Sequence, residues 1–447
     1  MVKDSLPTDE ATAAVDPGRG AVARSPRWPW ILLGVLFFGM TARLTLLCFR
    51  SDPAPYQDDY YVHRVFGEHF LTGKSLTDGV CFNYMPISAL YWSPLALMPV
   101  DAGRVVSYLV SVAALALTLV LLAKMVGPYC SRARWAPLPV AALTVLLSVH
   151  YLLRDMGDGG PHVLLLAMMV AGIYLASRGS EAWSAVCFGL AIALKITPGL
   201  FLPFMLWKRK WRLACYTSIA TLLWIVLPAV WMGWGPWWQA QHAWDQVALH
   251  SSIQENTGLL RENNTRVQNQ ALKPAIMRYL VSYPKGHALR LDHPADVPLG
   301  NLSELAAGRV ALALMAGLAL LCAWQSRRGY RAADDPAWLL ESSGVMILIL
   351  LFAPLVWLQH VVFMLPALYL LVAHDQCLCK LPPAARVLVW VYIVLSLVLL
   401  REVVGKGNYL LLLSYHMHTL CMLMILGLLF WIRPVAAAAE TAPAADR

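Results

Sequence analysis

The chain of 447 residues has little charge: Asp, Glu, Lys and Arg make up 14% of it, against 59% hydrophobic residues and a mean hydropathy of +0.58. Soluble globular chains carry about 25% charged and roughly 45–50% apolar residues, and no chain of this length folded in water could bury so much apolar surface. The solvent is therefore lipid. Neither G-x-G-x-x-G nor G-x-x-x-x-G-K-[ST] occurs, so the signatures of dinucleotide and nucleotide-phosphate cradles are missing. The nine cysteines are scattered without zinc-type spacing. Cys377 and Cys379 form a C-x-C that reads as reduced thiols in a cytosolic loop, and Cys48 and Cys81 could meet in a disulfide on the outer side. No basic stretch interleaved with aromatics points to a nucleic acid. The net charge of +9 is spread over many loops, as cytoplasmic positive-inside bias requires.

What is present is a series of apolar runs at residues 28–49, 85–101, 104–125, 134–153, 162–178, 183–206, 213–234, 303–324, 337–357, 359–374, 386–401 and 409–432. Crossing roughly 30 Å of hydrocarbon takes about 20 residues, and only helices satisfy their own backbone groups there, so the runs predict an all-α polytopic bundle of about twelve spans. The first run is too long for a signal-peptide core and lacks a small-residue cleavage site, which makes it a retained anchor. Residues 1–27 and 433–447 have no periodicity and read as disordered cytosolic tails flanking a transmembrane domain over 28–432. If every run spans, Lys208 to Arg212, Arg327, Arg328 and Arg331, Lys380 with Arg386, and Arg433 share one side with both termini. Positive-inside bias makes that side the cytoplasm. Lys124, Arg132 and Arg134 then fall on the opposite side, against the trend.

Two segments, about 50–84 and 235–302, are too long and too polar for simple connections, and both fall on the outer side in this arrangement. Long ordered loops are usually functional. In the first, Tyr61, Val62, Val65, Phe66 and Phe70 follow one helical face, Gly73 supplies a stop, and the helix is expected to lie along the membrane surface. Asp58 and Asp59 stand at its start, where unpaired N–H groups and the helix dipole favour negative charge. Both acids could simply cap the helix. Alternatively, since adjacent side chains point apart, one caps while the other serves as a general base.

Several stretches together resemble glycosyltransferase family 87. Asp59-Tyr60-x-Val62-His63, LTGKSL (Leu71 to Leu76) and FNYMPISALYWSPLALMP (Phe82 to Pro99) look like that family's opening D-F-x-V-Y, L-x-G and aromatic-Y-x-P pattern. GLAIALKITPGLFLPFMLWKRKWR (Gly189 to Arg212) resembles its K-x-x-P helix, Asn269-Gln270-Ala271-Leu272 followed by Arg278 its N-Q-S-L segment, and APLVWLQHVVFMLPAL (Ala353 to Leu368) its P-x-x-W-x-H-H stretch. The likeness covers about residues 30 to 430, in order. This sequence departs from the pattern at His63 for Tyr, Ala271 for Ser, Gln359 for the first His, and GDGGPH (Gly157 to His162) for a G-Q-x-N type turn.

The resemblance implies a C-type membrane glycosyltransferase of a bacterial plasma membrane, its active site facing outward beneath the two long loops. It implies a polyprenyl-phosphate-linked donor, most often mannose, a glycolipid or lipid-linked glycan acceptor, and no cofactor. The acceptor hydroxyl must lose a proton as it attacks, a task for a carboxylate within reach: Asp59, with Asp58 in reserve. The leaving phosphate needs fixed donors, for which Arg261, Lys273, Arg278, His360, Asn269, Gln270 and Lys195 are the candidates. Arg261 and Lys273 could equally be solvated loop residues. Lys195 lies inside an apolar run, where ionisable residues are functional by default, although it could instead be a buried partner of Asp155 or Asp158. Trp234, Trp237 and Trp238 suit an interfacial aromatic belt or stacking on sugar rings. With no D-x-D in the outer loops, the expected transfer is metal-independent and inverting. The competing class is a secondary transporter, which also has many spans and broken helices around midplane charges, but internal repeats are absent and the outer loops are unequal. A non-catalytic scaffold is the remaining alternative.

Overall fold

The computed structural model of the chain describes residues 27–48, 58–76, 84–130, 136–246, 266–284, 294–295, 297–330, 335–378 and 381–438. The expected disulfide between Cys48 and Cys81, the Cys377–Cys379 pair, Arg132, Arg134, Arg261 and nearly all of both tails lie outside the residues or side chains so described. No β-strand occurs among the described residues. The helices of the first half are α1 (Trp28–Cys48), α2 (Asp59–Thr72), α3 (Pro86–Ala96), α4 (Val100–Val126), α5 (Pro137–Leu147), α6 (Val149–Asp158), α7 (His162–Ser177), α8 (Glu181–Leu194), α9 (Phe201–Trp207) and α10 (Trp211–Val226). After α11 (Ala229–Met232), α12 (Trp234–Trp244) and α13 (Leu272–Leu280) come α14 (Glu304–Gln325), α15 (Pro336–Phe352), α16 (Leu365–Ala373), α17 (Pro383–Val398), α18 (Arg401–Ser414) and α19 (Met417–Ala438). A 3₁₀ segment, Leu358–Met364, leads into α16. The last helix continues past 432, where a disordered tail was expected.

The protein is a multi-pass membrane bundle, and among the described residues its apolar helices are more broken than hydropathy suggests. Four helical stretches among the described residues are long and apolar enough to cross alone, and up to six if each of two bent pairs counts once; six shorter apolar helices of 10–17 residues accompany them. Three of the expected spans are interrupted. The run 134–153 bends by 71° between α5 and α6. The run 85–101 is only α3, eleven residues long, packed on α2 rather than crossing: a Cβ added at Gly67 would lie 2.7 Å from the Trp92 carbonyl carbon. Arg64 of α2 also donates to the C-terminal carbonyls of α3 and its cap, at 3.2 Å to Leu95, 3.2 Å to Ala96 and 2.8 Å to Met98. These bonds fill acceptors that the end of a helix leaves open.

The run 183–206 turns back on itself. Pro198 has no N–H to reach the carbonyl four residues earlier, that of Leu194, so α8 stops there; Ser88 Oγ of α3 takes that carbonyl at 3.3 Å. From the break, a short 3₁₀ turn and α9 return to the end where α8 began, which the Arg212–Glu181 contact of 3.6 Å marks. Removing α3 from the spans and folding α8–α9 into a hairpin reverses the count twice. Lys208 stays beside Ser326 and Arg328, whereas Lys124 moves to their end, sharing a cavity wall with Arg178, Asp335 and Trp338. The disagreement over Lys124 thereby disappears, and the loop carrying Asp155 and His162 moves to the opposite end, beside α2.

Interior helices are apolar all round, as buried helices are: most of α15 from Trp338 to Leu351 is buried. By contrast, α14 buries only Ala307, Gly308 and Ala311 and leaves Leu312, Leu314, Leu320 and Trp324 exposed, a lipid-facing pattern. Trp234 and Trp238 are 68% and 64% exposed, as a belt requires, while Trp237 is buried and donates its indole N–H to the Ile225 carbonyl at 2.9 Å. The basic end is pinned by a buried ion pair, Lys208 Nζ to Glu341 Oε2 at 2.8 Å, with Lys208 also donating to the Ser326 carbonyl at 2.7 Å and to that of Arg328. Tyr330 donates its hydroxyl to Glu341 at 2.6 Å.

Removing one member of a buried pair strands the other charge, at about 3–5 kcal/mol. Glu341→Ala is therefore expected to lower the thermal unfolding midpoint in detergent markedly, and Lys208→Met combined with Glu341→Met to recover part of the loss. A double variant as unstable as the sum of the singles would show that the two charges do not act together.

Candidate active site

The two adjacent acids have separate tasks. Asp58 is the N-cap of α2: its Oδ1 accepts from the Tyr61 N–H at 2.9 Å, and its Oδ2 pairs with Arg104 Nη2 of α4 at 2.6 Å. Asp59, the first residue of the helix, is half-buried, and its Oδ2 accepts from Gln359 Nε2 at 3.0 Å. Burial is the largest influence on the Asp59 carboxyl and raises its pKa above the ordinary 3.8; the Gln359 hydrogen bond works the other way. The helix face turned to the protein is Tyr60, His63, Phe66 and Gly67; of the apolar stripe, Phe66 and Phe70 pack on the core while Tyr61, Val62 and Val65 stay half-buried. Tyr60 is 1% exposed and donates its hydroxyl to the Val100 carbonyl at 3.1 Å.

Facing this helix is a cluster built on the break after α8. Lys195, in extended conformation at the C-cap, sets Nζ 2.9 Å from His162 Nε2 and 3.1 Å from His360 Nε2. Behind His162, Asp155 Oδ1 lies 2.8 Å from His162 Nδ1. The ring therefore holds its proton on Nδ1 and turns a lone pair to Lys195. Asp155 also accepts from the backbone N–H groups of His162 (3.3 Å) and Val163 (2.9 Å), at the N-terminus of α7 where a carboxylate is favoured. His360 Nδ1 lies 3.2 Å from the Trp357 nitrogen and its ring also bonds the Leu355 backbone, which fixes its orientation.

The GDGG turn makes this assembly possible. Gly159 has φ +72°, a conformation that favours glycine, and a Cβ there would strike the Tyr60 side chain; one on Gly160 would meet the Asp155 carboxylate. Asp59 and Lys195 attract one another across the gap between α2 and α8. Chemically, the arrangement offers a desolvated carboxylate held through one oxygen and, facing it, a cation flanked by two imidazoles. Among the described residues no group of three or more His, Cys, Asp or Glu is arranged to hold a metal ion.

The N-Q-A-L segment does different work from that expected. Asn269 donates to the Pro354 carbonyl at 3.0 Å and accepts from the N–H groups of Val356 at 2.9 Å and Ala271 at 3.2 Å. Gln270 donates to the Val267 and Leu413 carbonyls at 2.9 and 3.0 Å. The Asn269 side chain therefore laces this segment to the Pro354–Val356 backbone just before Gln359 and His360, and that of Gln270 ties it to Leu413 of α18. Arg278 is engaged likewise, with Nε donating to the Ser414 carbonyl at 3.2 Å and Nη2 to that of Ala295. Lys273, on the same α13, is half-buried. Of the seven expected donor contacts, Lys195 and His360 meet at the cluster. Asp155, one of the two acids expected as a partner of Lys195, reaches it through His162, while His162 and Gln359 are not among the expected site residues.

The profile of glycosyltransferase family 87 matches residues 82–354 of this chain, a stretch that includes Asp155, His162, Lys195, Asn269 and Gln270 and ends before His360. Two similar proteins are polyprenol-phosphate-mannose-dependent alpha-(1-2)-phosphatidylinositol mannoside mannosyltransferases. That of Mycobacterium tuberculosis is 26% identical over 363 residues, 76% of this chain and 74% of its own length. That of Mycolicibacterium smegmatis is 26% identical over 344 residues, 70% of this chain and 69% of its own.

The division of labour between the acids gives a stability expectation. Replacing an N-cap residue by Ala costs about 0.5–2 kcal/mol, whereas Asn caps as well as Asp. Asp58→Ala should lower the unfolding midpoint more than Asp58→Asn, which loses only the charge toward Arg104. Equal losses in a thermal melt would remove the capping role.

Proposed function

Because the chain belongs to glycosyltransferase family 87, we propose that it transfers a sugar, mannose on the strength of its relatives' names, from a polyprenyl-phosphate donor to a glycolipid of the phosphatidylinositol mannoside class. The observation that carries this reading is the desolvated Asp59 carboxylate standing opposite Lys195 between His162 and His360. Asp59 takes the proton from the acceptor hydroxyl as its oxygen bonds to the anomeric carbon. The bond from that carbon to the phosphate oxygen breaks, and the charge moves to the lipid phosphate, where Lys195 and His360 stabilise it. Fixed donors aimed at developing charge need no reorganisation, and Asp155 through His162 keeps the Lys195 ammonium in line. Gln359 occupies one oxygen of Asp59 and leaves the other for the acceptor. Attack from the side opposite the phosphate inverts the anomeric centre.

The basic end of the bundle is assigned to the cytoplasm, which sets α2 and the cluster on the outer face of a bacterial plasma membrane, reached by the lipid donor without any nucleotide. Lys273 and Arg278, on α13 of the outer loop, are assigned to the approach of the acceptor. Family membership favours this reading over a secondary transporter.

The test is transfer by purified protein in nanodiscs, from radiolabelled polyprenyl-phosphate mannose to phosphatidylinositol mannosides, with EDTA present. Asp59→Asn should lose about 10²–10⁴-fold in turnover, the usual worth of a general base. Lys195→Met should lose about 10²–10³-fold, the worth of one preorganised donor. Since the base acts only when ionised, turnover should rise with pH along an acid limb lying above the ordinary aspartate value of 3.8. An active, folded Asp59→Asn protein, or activity abolished by EDTA, would contradict the mechanism.

A further inference from the structure

The side chain next along the face of Asp59 carries a buried nitrogen with no hydrogen bond. His63 is 2% exposed, and its Nε2 is buried with no hydrogen bond. Buried polar groups are normally paired, so one left open beside a reaction site marks a place for a ligand atom. His63 follows Asp59 at i+4, which makes them neighbours on one side of α2. The ring is rigidly held: it stacks on Trp92 at 4.5 Å with planes 10° apart and meets the edge of Tyr84 at 4.9 Å. The close approach of Gly67 to the Trp92 backbone fixes α2 against that platform. The ring also lies within electrostatic reach of Lys195, so it belongs to the same site.

We propose that His63 is a specificity residue for the acceptor, its Nε2 hydrogen-bonding the sugar hydroxyl adjacent to the one that Asp59 deprotonates. The proposal rests on the transferase reading above. The acceptor is favoured over the donor sugar because His63 shares its helix with the base, whereas the groups assigned to the leaving phosphate come from α7, α8 and the 3₁₀ segment. Burial, followed by the nearby Lys195 charge, pulls the imidazole down to about 3. The ring is thus neutral wherever Asp59 is ionised, and a neutral imidazole nitrogen can serve a hydroxyl as either donor or acceptor. A tyrosine, usual at this position in the family pattern, would carry its hydroxyl further out, so His63 adapts the subsite of this chain.

The experiment compares wild type, His63→Ala and His63→Gln with polyprenyl-phosphate mannose as donor. Two acceptors are used: a phosphatidylinositol mannoside, and one lacking the carbon-3 hydroxyl of the accepting mannose, the neighbour of the carbon-2 hydroxyl used in the relatives' linkage. The expected result for His63→Ala is an acceptor KM raised about tenfold, the worth of one neutral hydrogen bond, with kcat and donor KM unchanged. His63→Gln, which keeps a hydrogen-bonding group, should recover part of the loss. The deoxygenated acceptor should bind more weakly to wild type and no more weakly still to His63→Ala. A raised donor KM, equal losses on both acceptors, or unchanged kinetics would overturn the proposal while leaving the transferase intact. A wild-type protein that transfers to neither acceptor would overturn the transferase reading and this proposal together.

Discussion

The site depends on a single missing hydrogen bond. In lipid a backbone carbonyl without a partner costs several kcal/mol, and Pro198 deprives the Leu194 carbonyl of its partner in the middle of an apolar run. The deficit is met from outside the helix, by Ser88 Oγ at 3.3 Å, and what is gained is a lysine in extended conformation at bundle depth. Lys195 would be costly there alone. Two imidazole nitrogens lie within 3.1 Å of it; that of His162 accepts from the ammonium, with Asp155 orienting the ring. The same break turns the chain back through α9 to Lys208, whose pairing with Glu341 closes the other end.

The second requirement is that a neighbouring carboxylate be kept available. Adjacent acids at a helix start compete for the same unpaired N–H groups. Arg104 and the Tyr61 N–H occupy Asp58, so Asp59 faces inward with one oxygen on Gln359. Gln359 stands where the family pattern has a histidine. A neutral amide fixes the carboxylate without adding a charge beside Lys195, so the attraction between acid and cation is not divided. Asn269, though distant from the chemistry, holds the backbone just before Gln359 and His360.

Much of this was legible in the sequence, and the rest was hidden for identifiable reasons. Composition alone established a helical membrane protein. The Asp58–Asp59 pair, its position at a helix start and the capping by only one of the two acids could be read from helix-terminus physics. Lys195 was conspicuous as a charge in an apolar run. Hydropathy does not separate a span from a short or folded-back apolar run: α3 has only eleven residues, and α8–α9 is a hairpin. Counting α3 as a span reverses the chain before Asp155 and His162, so hydropathy alone sets their loop away from Asp59, whereas the fold brings Gly159 against Tyr60. The N-Q-A-L stretch was recognisable as a motif, but a motif does not reveal whether an amide meets a ligand or a carbonyl. Likewise, His63 was visible only as a departure from a pattern until its unpaired nitrogen could be located.

The central claim is that the lipid-phosphate sugar is held by Lys195 and His360 with its anomeric carbon turned toward Asp59. A cryo-electron microscopy structure of the protein with an unreactive polyprenyl phosphonate analogue of the donor tests it most directly. Phosphonate oxygens are expected within hydrogen-bond distance of Lys195 Nζ and His360 Nε2, with the sugar lying between them and α2. A phosphonate seated instead against Lys273 and Arg278, with Lys195 still enclosed by its two imidazoles and remote from the ligand, would contradict it.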